Sequence, residues 1–344
     1  MTHRVTARLA AGLAGAALLL AGCAGEVPQP DPDPTATAPP PVLDRDRIER
    51  ILDEVGEMIA EADAELDPEL LTSRVTGPAL DMRTAEYQLA EASDGERVPT
   101  PVSTASQVEV VAATDQWPRS VFVISHVPDD ANLPLLLVLN QQDARSPYQL
   151  WYWTTLLPGV NTPSIPHIDS GSPQLAPDTE GLALTPAETV ETYAGLLADP
   201  SGDAAEMFTE DPFRTGYTEM IEALRSTVEV AGDVSVDYAV TDDSVVAMET
   251  ADGGAAVAGV IEVALTITKN VDGAQLEAGG EIGLLMGEDA GIEEAAEATY
   301  LIPVAFTVPP SDSGDPITVL GASHVLADVT VHEPDEDEDD GAAG

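Results

Sequence analysis

The chain has 344 residues and a formal net charge of −49, from 62 acidic and 13 basic side chains. Nucleic acid and anionic lipid headgroups need a basic surface, so this balance argues against both as partners. Aromatic residues make up only 4% of the chain. Aliphatic side chains must therefore form the core, and the length suits two domains of average size.

The first 22 residues have the pattern of a secretory signal peptide. Arg4 and Arg8 precede an uncharged apolar run, residues 9–20, which is too short to span a bilayer as a permanent helix. The only cysteine of the chain, Cys23, follows directly. The chain therefore has no second thiol for an internal disulfide bond or for a cysteine-based metal site.

The sequence Leu20-Ala21-Gly22-Cys23 resembles the bacterial lipobox, with a branched apolar residue, two small residues and a cysteine. The resemblance implies that Cys23 carries a diacylglyceryl group and becomes the N-terminus after cleavage. At about 0.8 kcal/mol per buried CH₂ group, two acyl chains anchor a protein stably whereas one binds marginally. The expected location is the extracytoplasmic face of the cell membrane, with the protein held to the lipid bilayer through Cys23.

Residues 23–43 are rich in proline and have no apolar periodicity, which is typical of a tether. At about 3.1 Å per residue in the extended polyproline conformation, roughly twenty residues reach up to about 60 Å. Residues 44–66 then show apolar positions at helical spacing and predict an amphipathic helix with Asp44 as its N-cap. A second, interrupted helix is predicted around residues 80–87.

Beyond Pro101, four short runs of β-branched and apolar residues predict an antiparallel meander. These runs cover residues 107–112, 120–127, 135–141 and 149–157. A segment rich in proline, serine and glycine follows at residues 161–182 and predicts a linker.

The same order of elements is repeated after the linker. A capping box between Thr185 and Glu188 begins a helix, and a second helix is predicted around residues 217–228. Strands are predicted at residues 260–268, 299–308 and 317–331. The acidic end of the chain has no apolar pattern and predicts a disordered tail.

These elements predict an α+β protein of two tandem domains, each with N-terminal helices packed on a curved antiparallel sheet. The element order resembles a tandem of nuclear-transport-factor-2-like cone domains, and the whole layout resembles uncharacterised lipoproteins of high-GC Gram-positive bacteria. The resemblance implies cones that hold a ligand, an active site or neither. The expected segments are a signal peptide (1–22), a tether (23–43), a first domain (44–160), a linker (161–182), a second domain (183–332) and a tail (333–344).

The sequence predicts no catalytic, cofactor-binding or metal-binding residues. The motifs G-x-S-x-G, H-E-x-x-H, G-x-x-x-x-G-K-[ST] and G-x-G-x-x-G do not occur. His324, Asp328 and His332 share a face of the last predicted strand, but residues four apart on a strand are about 13 Å apart, too far to share one ion. Both histidines are therefore expected to face solvent. Ser125 and His126 are adjacent on a predicted strand and point to opposite faces, so they do not form a nucleophile and base pair.

Trp151 and Trp153 are the possible ligand-facing residues. Two residues apart on a predicted strand, their indoles share one face and could stack on a sugar ring or line the mouth of a pocket. The alternative is that they anchor the core of the first domain. Tyr193 and Tyr217 are expected to be core residues of the second.

The sequence thus favours a non-catalytic binding or interaction module of the cell envelope, with an envelope protein or a glycan as its partner and no cofactor. Two alternatives stay open. A small-molecule-binding or enzymatic cone requires a pocket, which in an enzyme contains an ionisable group with a shifted pKa. A structural spacer of the envelope requires no sizeable cavity.

Overall fold

A computed structural model describes residues 39–129, 131–241, 244–287 and 290–332. The described residues confirm the α+β class, and they belong to one compact unit. The helices are α1 (Arg45–Glu65), α2 (Pro78–Ala92), α3 (Pro186–Ala198), α4 (Pro212–Val228) and α5 (Gly280–Met286), with 3-10 helices at Pro68–Leu71 and Asp203–Met207. The strands are β1 (Ser106–Ala113), β2 (Arg119–Ser125), β3 (Leu135–Gln141), β4 (Gln149–Thr155), β5 (Ser172–Leu175), β6 (Gly232–Ala239), β7 (Val245–Glu249), β8 (Ala255–Lys269), β9 (Ala295–Val308), β10 (Thr318–Ala322) and β11 (Val325–His332).

Helix α1 begins and ends where the sequence predicts. Asp44 Oδ1 accepts a hydrogen bond from Arg47 N at 2.9 Å and caps the helix. Leu66 has a positive φ of 52° and ends it, just before the 3-10 helix at Pro68. The buried face of α1 packs against the first strands through Ile48, Leu52, Val55, Ile59 and Ala62.

Strands β1 to β4 form the predicted antiparallel meander. Side chains alternate between the two faces of this meander, as three consecutive residues of β1 show. Glu109 points toward α1, where its carboxylate lies 2.9 Å from Arg45 Nη1. Val108 and Val110 point to the other face, where they line a cavity.

The sheet does not stop at the predicted linker. Strand β5 lies inside residues 161–182 and pairs in parallel with β1 and antiparallel with β7. The strand order is β10-β9-β8-β7-β5-β1-β2-β3-β4, with β11 added on β9 and β6 on β8. At four residues, β5 is too short to give a periodic signal among the surrounding prolines and glycines.

The two ends of this strand order meet, so the sheet is nearly closed. Leu156, just beyond β4, bridges Gly321 of β10, and Leu157 N donates to Leu320 O at 2.8 Å. Glycine suits this contact because a Cβ on Gly321 would lie 2.7 Å from Thr155 O. The meander of the first half is thereby joined to the strands of the second.

The second half contains the predicted capping box. Thr185 Oγ1 accepts from Glu188 N at 3.2 Å, and Glu188 Oε2 accepts from Thr185 N at 3.0 Å. Helix α3 then packs closely on β8, where a Cβ on Gly259 would lie 2.5 Å from Val190 Cγ2. Glycine at this position allows the helix to approach the strand.

The run predicted as one strand at residues 317–331 is divided into β10 and β11. Both pair with β9, and the break between them falls opposite Pro303. Proline has no backbone N–H for a neighbouring strand, so the ladder is interrupted there. Its carbonyl instead accepts a hydrogen bond from Ser323 N at 3.1 Å.

The buried side chains form two hydrophobic clusters. The first contains the meander, α1, α2 and parts of β7 to β10, and the second contains the inner faces of α3 to α5 with the strands of the second half. Tyr193 and Tyr217 belong to the second cluster, as predicted. Among the helices of the described residues, none combines the length and the apolar character needed to cross a membrane.

Candidate functional site

An apolar cavity of about 280 Å³ lies inside the nearly closed sheet. It is formed by both halves of the chain. The first half contributes Val108, Val110, Phe122, Ile124, Leu136 and Leu156. The second half contributes Ala256, Val257, Phe306 and Leu320. We refer to this space as the apolar cavity.

The mouth of the apolar cavity is lined by residues 162–165, which lie between β4 and β5. Ala251 N donates a hydrogen bond to Ser164 O at 2.8 Å and fixes this loop to the turn between β7 and β8. The hydroxyls of Thr162 and Ser164 are the polar side-chain groups of the lining. The cavity is therefore aliphatic and aromatic inside and polar at its rim.

A second cavity, of about 640 Å³, lies between α1 and the meander. Four arginines line it: Arg47, Arg50, Arg74 and Arg119. We call it the arginine cavity. The overall charge of the chain gave no indication of a basic surface, because these arginines come from three separate segments that only the fold brings together.

A third cavity, of about 730 Å³, is lined by Trp117, Trp151, Asn140 and several glutamines, and we call it the amide cavity. Asn140 is only 5% exposed, and its Oδ1 is buried without a hydrogen-bond donor among the described residues. Gln174 holds the loop that carries Trp117, since its Nε2 donates to Pro118 O at 3.1 Å.

The structure corrects the expectation that Trp151 and Trp153 share one face. A β-bulge lies at Trp151, and this extra residue breaks the alternation of side chains along β4. Trp151 stacks on Tyr152, with ring centroids 5.8 Å apart, and lines the amide cavity. Trp153 lies 5.7 Å from the guanidinium of Arg83 instead. Both indoles are buried in the first cluster, as in the alternative interpretation.

His324 is not the solvent-facing residue that the sequence predicts. It lies between β10 and β11, stacks on Tyr300 with ring centroids 4.1 Å apart and meets Tyr217 edge to face. The break in the strand turns its side chain inward, and burial lowers its pKa to about 4. Asp328 and His332 are exposed on β11, and the described residues contain no group of side chains placed to hold a metal ion.

The pKa of His324 implies a stability that depends on pH. The unfolded chain takes up a proton on this ring below pH 6.5, but the folded chain does so only near pH 4, so stability falls as the pH is lowered through this window. When the pH is lowered from 7 to 4.5, we expect the free energy of unfolding of His324→Gln to fall by about 2 kcal/mol less than that of the wild type. Urea unfolding at both values measures this difference, and exposed His332→Gln is the control. Equal losses in all three proteins would contradict it.

Ser125 and His126 do not form a nucleophile and base pair. Ser125 Oγ donates to the backbone carbonyl of His126 at 2.7 Å and accepts from Leu135 N at 3.0 Å. The His126 side chain is exposed. This serine therefore ties β2 to β3.

The lipobox residues Leu20, Ala21, Gly22 and Cys23 and the acidic tail at residues 333–344 lie outside the described residues. The chain belongs to the family described as a domain of unknown function (DUF8094), whose model matches residues 39–330. This match runs from the first described residue into β11. No curated protein and no solved structure matches the chain.

Proposed function

We propose that this protein is a lipoprotein, anchored at the extracytoplasmic face of the cell membrane, whose folded part binds a small apolar molecule without chemical conversion. The observation that carries the ligand-binding proposal is the apolar cavity. The anchor rests on the sequence of the lipobox, and the tether would hold the cavity up to about 60 Å from the lipid.

The size and the lining of the apolar cavity favour an apolar ligand. The cavity opens to solvent at residues 162–165, so a ligand that enters it would remove its aliphatic and aromatic walls from water, at roughly 25 cal/mol per Å² of apolar surface buried. A cavity of about 150 Å³ accepts benzene, so this one has room for an apolar group roughly twice that size. A ligand of this size would replace water along these walls with van der Waals contacts.

The lining favours binding over catalysis. Acid–base catalysis needs an ionisable side chain within hydrogen-bond reach of the substrate. The described side chains around this cavity are aliphatic, aromatic or hydroxylic. They suit a molecule that is poorly soluble in water, with any polar end placed at Thr162 and Ser164.

A glycan in the amide cavity is a second candidate, consistent with a partner in the cell envelope. Asn140 Oδ1 lacks a hydrogen-bond donor among the described residues, and a sugar hydroxyl could supply one. The rings of Trp117 and Trp151 offer apolar surface to the same space. Titration with soluble wall oligosaccharides, compared between the wild type and Asn140→Leu, tests this candidate. The glycan proposal requires saturable binding by the wild type that Asn140→Leu lacks.

Filling the apolar cavity is expected to abolish binding of an apolar ligand. Val110→Phe places a ring in the cavity, whereas Val331→Phe makes the same change at a residue of β11 that is 43% exposed. Titration with the neutral naphthalene fluorophore prodan should give saturable binding to the wild type. We expect Val110→Phe to weaken it at least tenfold and Val331→Phe to change it less than twofold.

Two results would overturn the proposal. The first is a wild-type protein that does not bind the fluorophore. The second is a Val110→Phe variant that binds it as tightly as the wild type while retaining the native circular dichroism spectrum.

A further inference from the structure

The arginine cavity concentrates positive charge on a strongly negative protein. Four of the 13 basic residues of the chain line it, together with one described carboxylate, Glu54. Their formal charge is +3, four positive against one negative, in a chain whose net charge is −49. This is the arrangement expected for the recognition of an anion.

The helical repeat of α1 places two of these arginines beside the carboxylate. Arg47, Arg50 and Glu54 are spaced at i, i+3 and i+7, on one side of the helix. Glu54 forms an ion pair with Arg74, and Arg74 Nη1 also donates to Tyr148 O at 3.3 Å. Arg74 is thus engaged within the protein.

The other three arginines, Arg47, Arg50 and Arg119, form no ion pair within the described part of the chain. Acidic residues outnumber basic ones by 62 to 13, so carboxylates are plentiful elsewhere. Arg47 and Arg50 are exposed, so solvent screens their mutual repulsion and their guanidinium groups are accessible to an anion.

Arg119 and Tyr148 supply polar groups that lack partners. Arg119 lies 4.0 Å from the ring centroid of Trp117, and its buried Nε has no acceptor among the described residues. Tyr148 is 5% exposed, and its buried hydroxyl also has no partner there. Burial raises the pKa of Tyr148 to about 12, so the hydroxyl keeps its proton and can donate it to an anion. Buried donors without acceptors are costly, and a ligand oxygen would satisfy them.

We propose that the arginine cavity binds the phosphoryl group of a small phosphorylated molecule. Guanidinium groups bind phosphate oxygens through paired hydrogen bonds, and a dianionic phosphate matches the positive lining. The cavity is larger than a phosphate group, so the rest of the molecule would lie along Trp117. This site is separate from the apolar cavity, because Arg119 points to the α1 face of β2 and Phe122 to the other.

A soluble phosphate ester and a lipid headgroup share this chemistry, so the experiment uses both. The full-length protein in detergent micelles is titrated by calorimetry with glycerol 3-phosphate. Phosphatidic acid in the same micelles is the lipid arm, with diacylglycerol as its phosphate-free control. Binding of glycerol 3-phosphate alone supports the proposal with a soluble ligand, and additional binding of phosphatidic acid supports it with a headgroup.

Charge-matched variants test the site itself. We expect Arg119→Gln to weaken binding at least tenfold and Arg50→Gln, on the exposed side of α1, to weaken it at least fivefold. Arg225→Gln removes the same charge from exposed α4 and should change it less than twofold. A protein that binds neither glycerol 3-phosphate nor phosphatidic acid would overturn the proposal, as would equal losses in all three variants. Citrate that binds as tightly as glycerol 3-phosphate would overturn the choice of a phosphoryl group.

Discussion

Replacing Arg83 by methionine is expected to lower the free energy of unfolding by about 3–5 kcal/mol. Arg83 is 1% exposed on α2, and its Nη1 donates to Glu86 Oε2 at 2.6 Å and to Thr100 O at 2.8 Å. Its Nη2 donates to Asp63 Oδ2 of α1 at 3.0 Å, and the guanidinium lies over the ring of Trp153. The substitution would leave these carboxylates without their buried partner.

Chemical unfolding followed by circular dichroism measures this effect. Arg97→Met is the matched control, because Arg97 is 54% exposed and pairs with Glu281 at 3.4 Å across the surface. An exposed pair of this kind contributes about 0–1 kcal/mol. If Arg83→Met cost no more than Arg97→Met, the buried arginine would not join α1 to α2 as described.

Replacing Cys23 by serine is expected to move the protein from the membrane fraction to the soluble fraction, or to leave it unprocessed. Serine has no thiol to form the thioether, so neither acyl chain would be attached. Two chains give stable anchoring because each buried CH₂ group contributes about 0.8 kcal/mol. Fractionation of cells and the mass of the mature N-terminus measure the outcome.

Ala24→Ser is the control for this experiment, since it introduces the same side chain one residue later and leaves the thiol in place. It should remain attached to the membrane. Unchanged attachment of Cys23→Ser would contradict the assignment of the lipobox and, with it, the proposed location.

The parts of the fold that follow from neighbouring residues could be predicted. The N-cap at Asp44 and the capping box of α3 depend on residues three positions apart, and their hydrogen bonds form as expected. The meander β1 to β4 was visible because each run is bounded by turn residues. Local patterns of this kind do not depend on what packs against them.

Features that depend on distant pairing were not visible in the sequence. Strand β5 is held by β1 and β7 and has no periodic signal of its own. The inward turn of His324 depends on the missing N–H of Pro303 in another strand. The organisation as two tandem cone domains stays a prediction, although a single sheet contains strands from both halves of the chain.

The cavities were the least predictable part. The alternation of Val108 and Val110 around Glu109 indicates a buried face, but a face that lines a cavity and a face that packs in a core have the same sequence pattern. The arginine cavity combines α1, the segment that contains Arg74 and strand β2, which are far apart along the chain. The strongly negative total charge of the chain does not reveal that the lining of this cavity is basic.

Native mass spectrometry of the protein extracted from membranes in mild detergent tests the central claim most directly. We expect the wild type to carry an additional apolar molecule that dissociates on activation, and Val110→Phe, prepared in parallel, to lack it. A wild-type protein with only the mass of its lipidated chain, or an equal amount of bound molecule on Val110→Phe, would contradict the assignment of the apolar cavity as a ligand site.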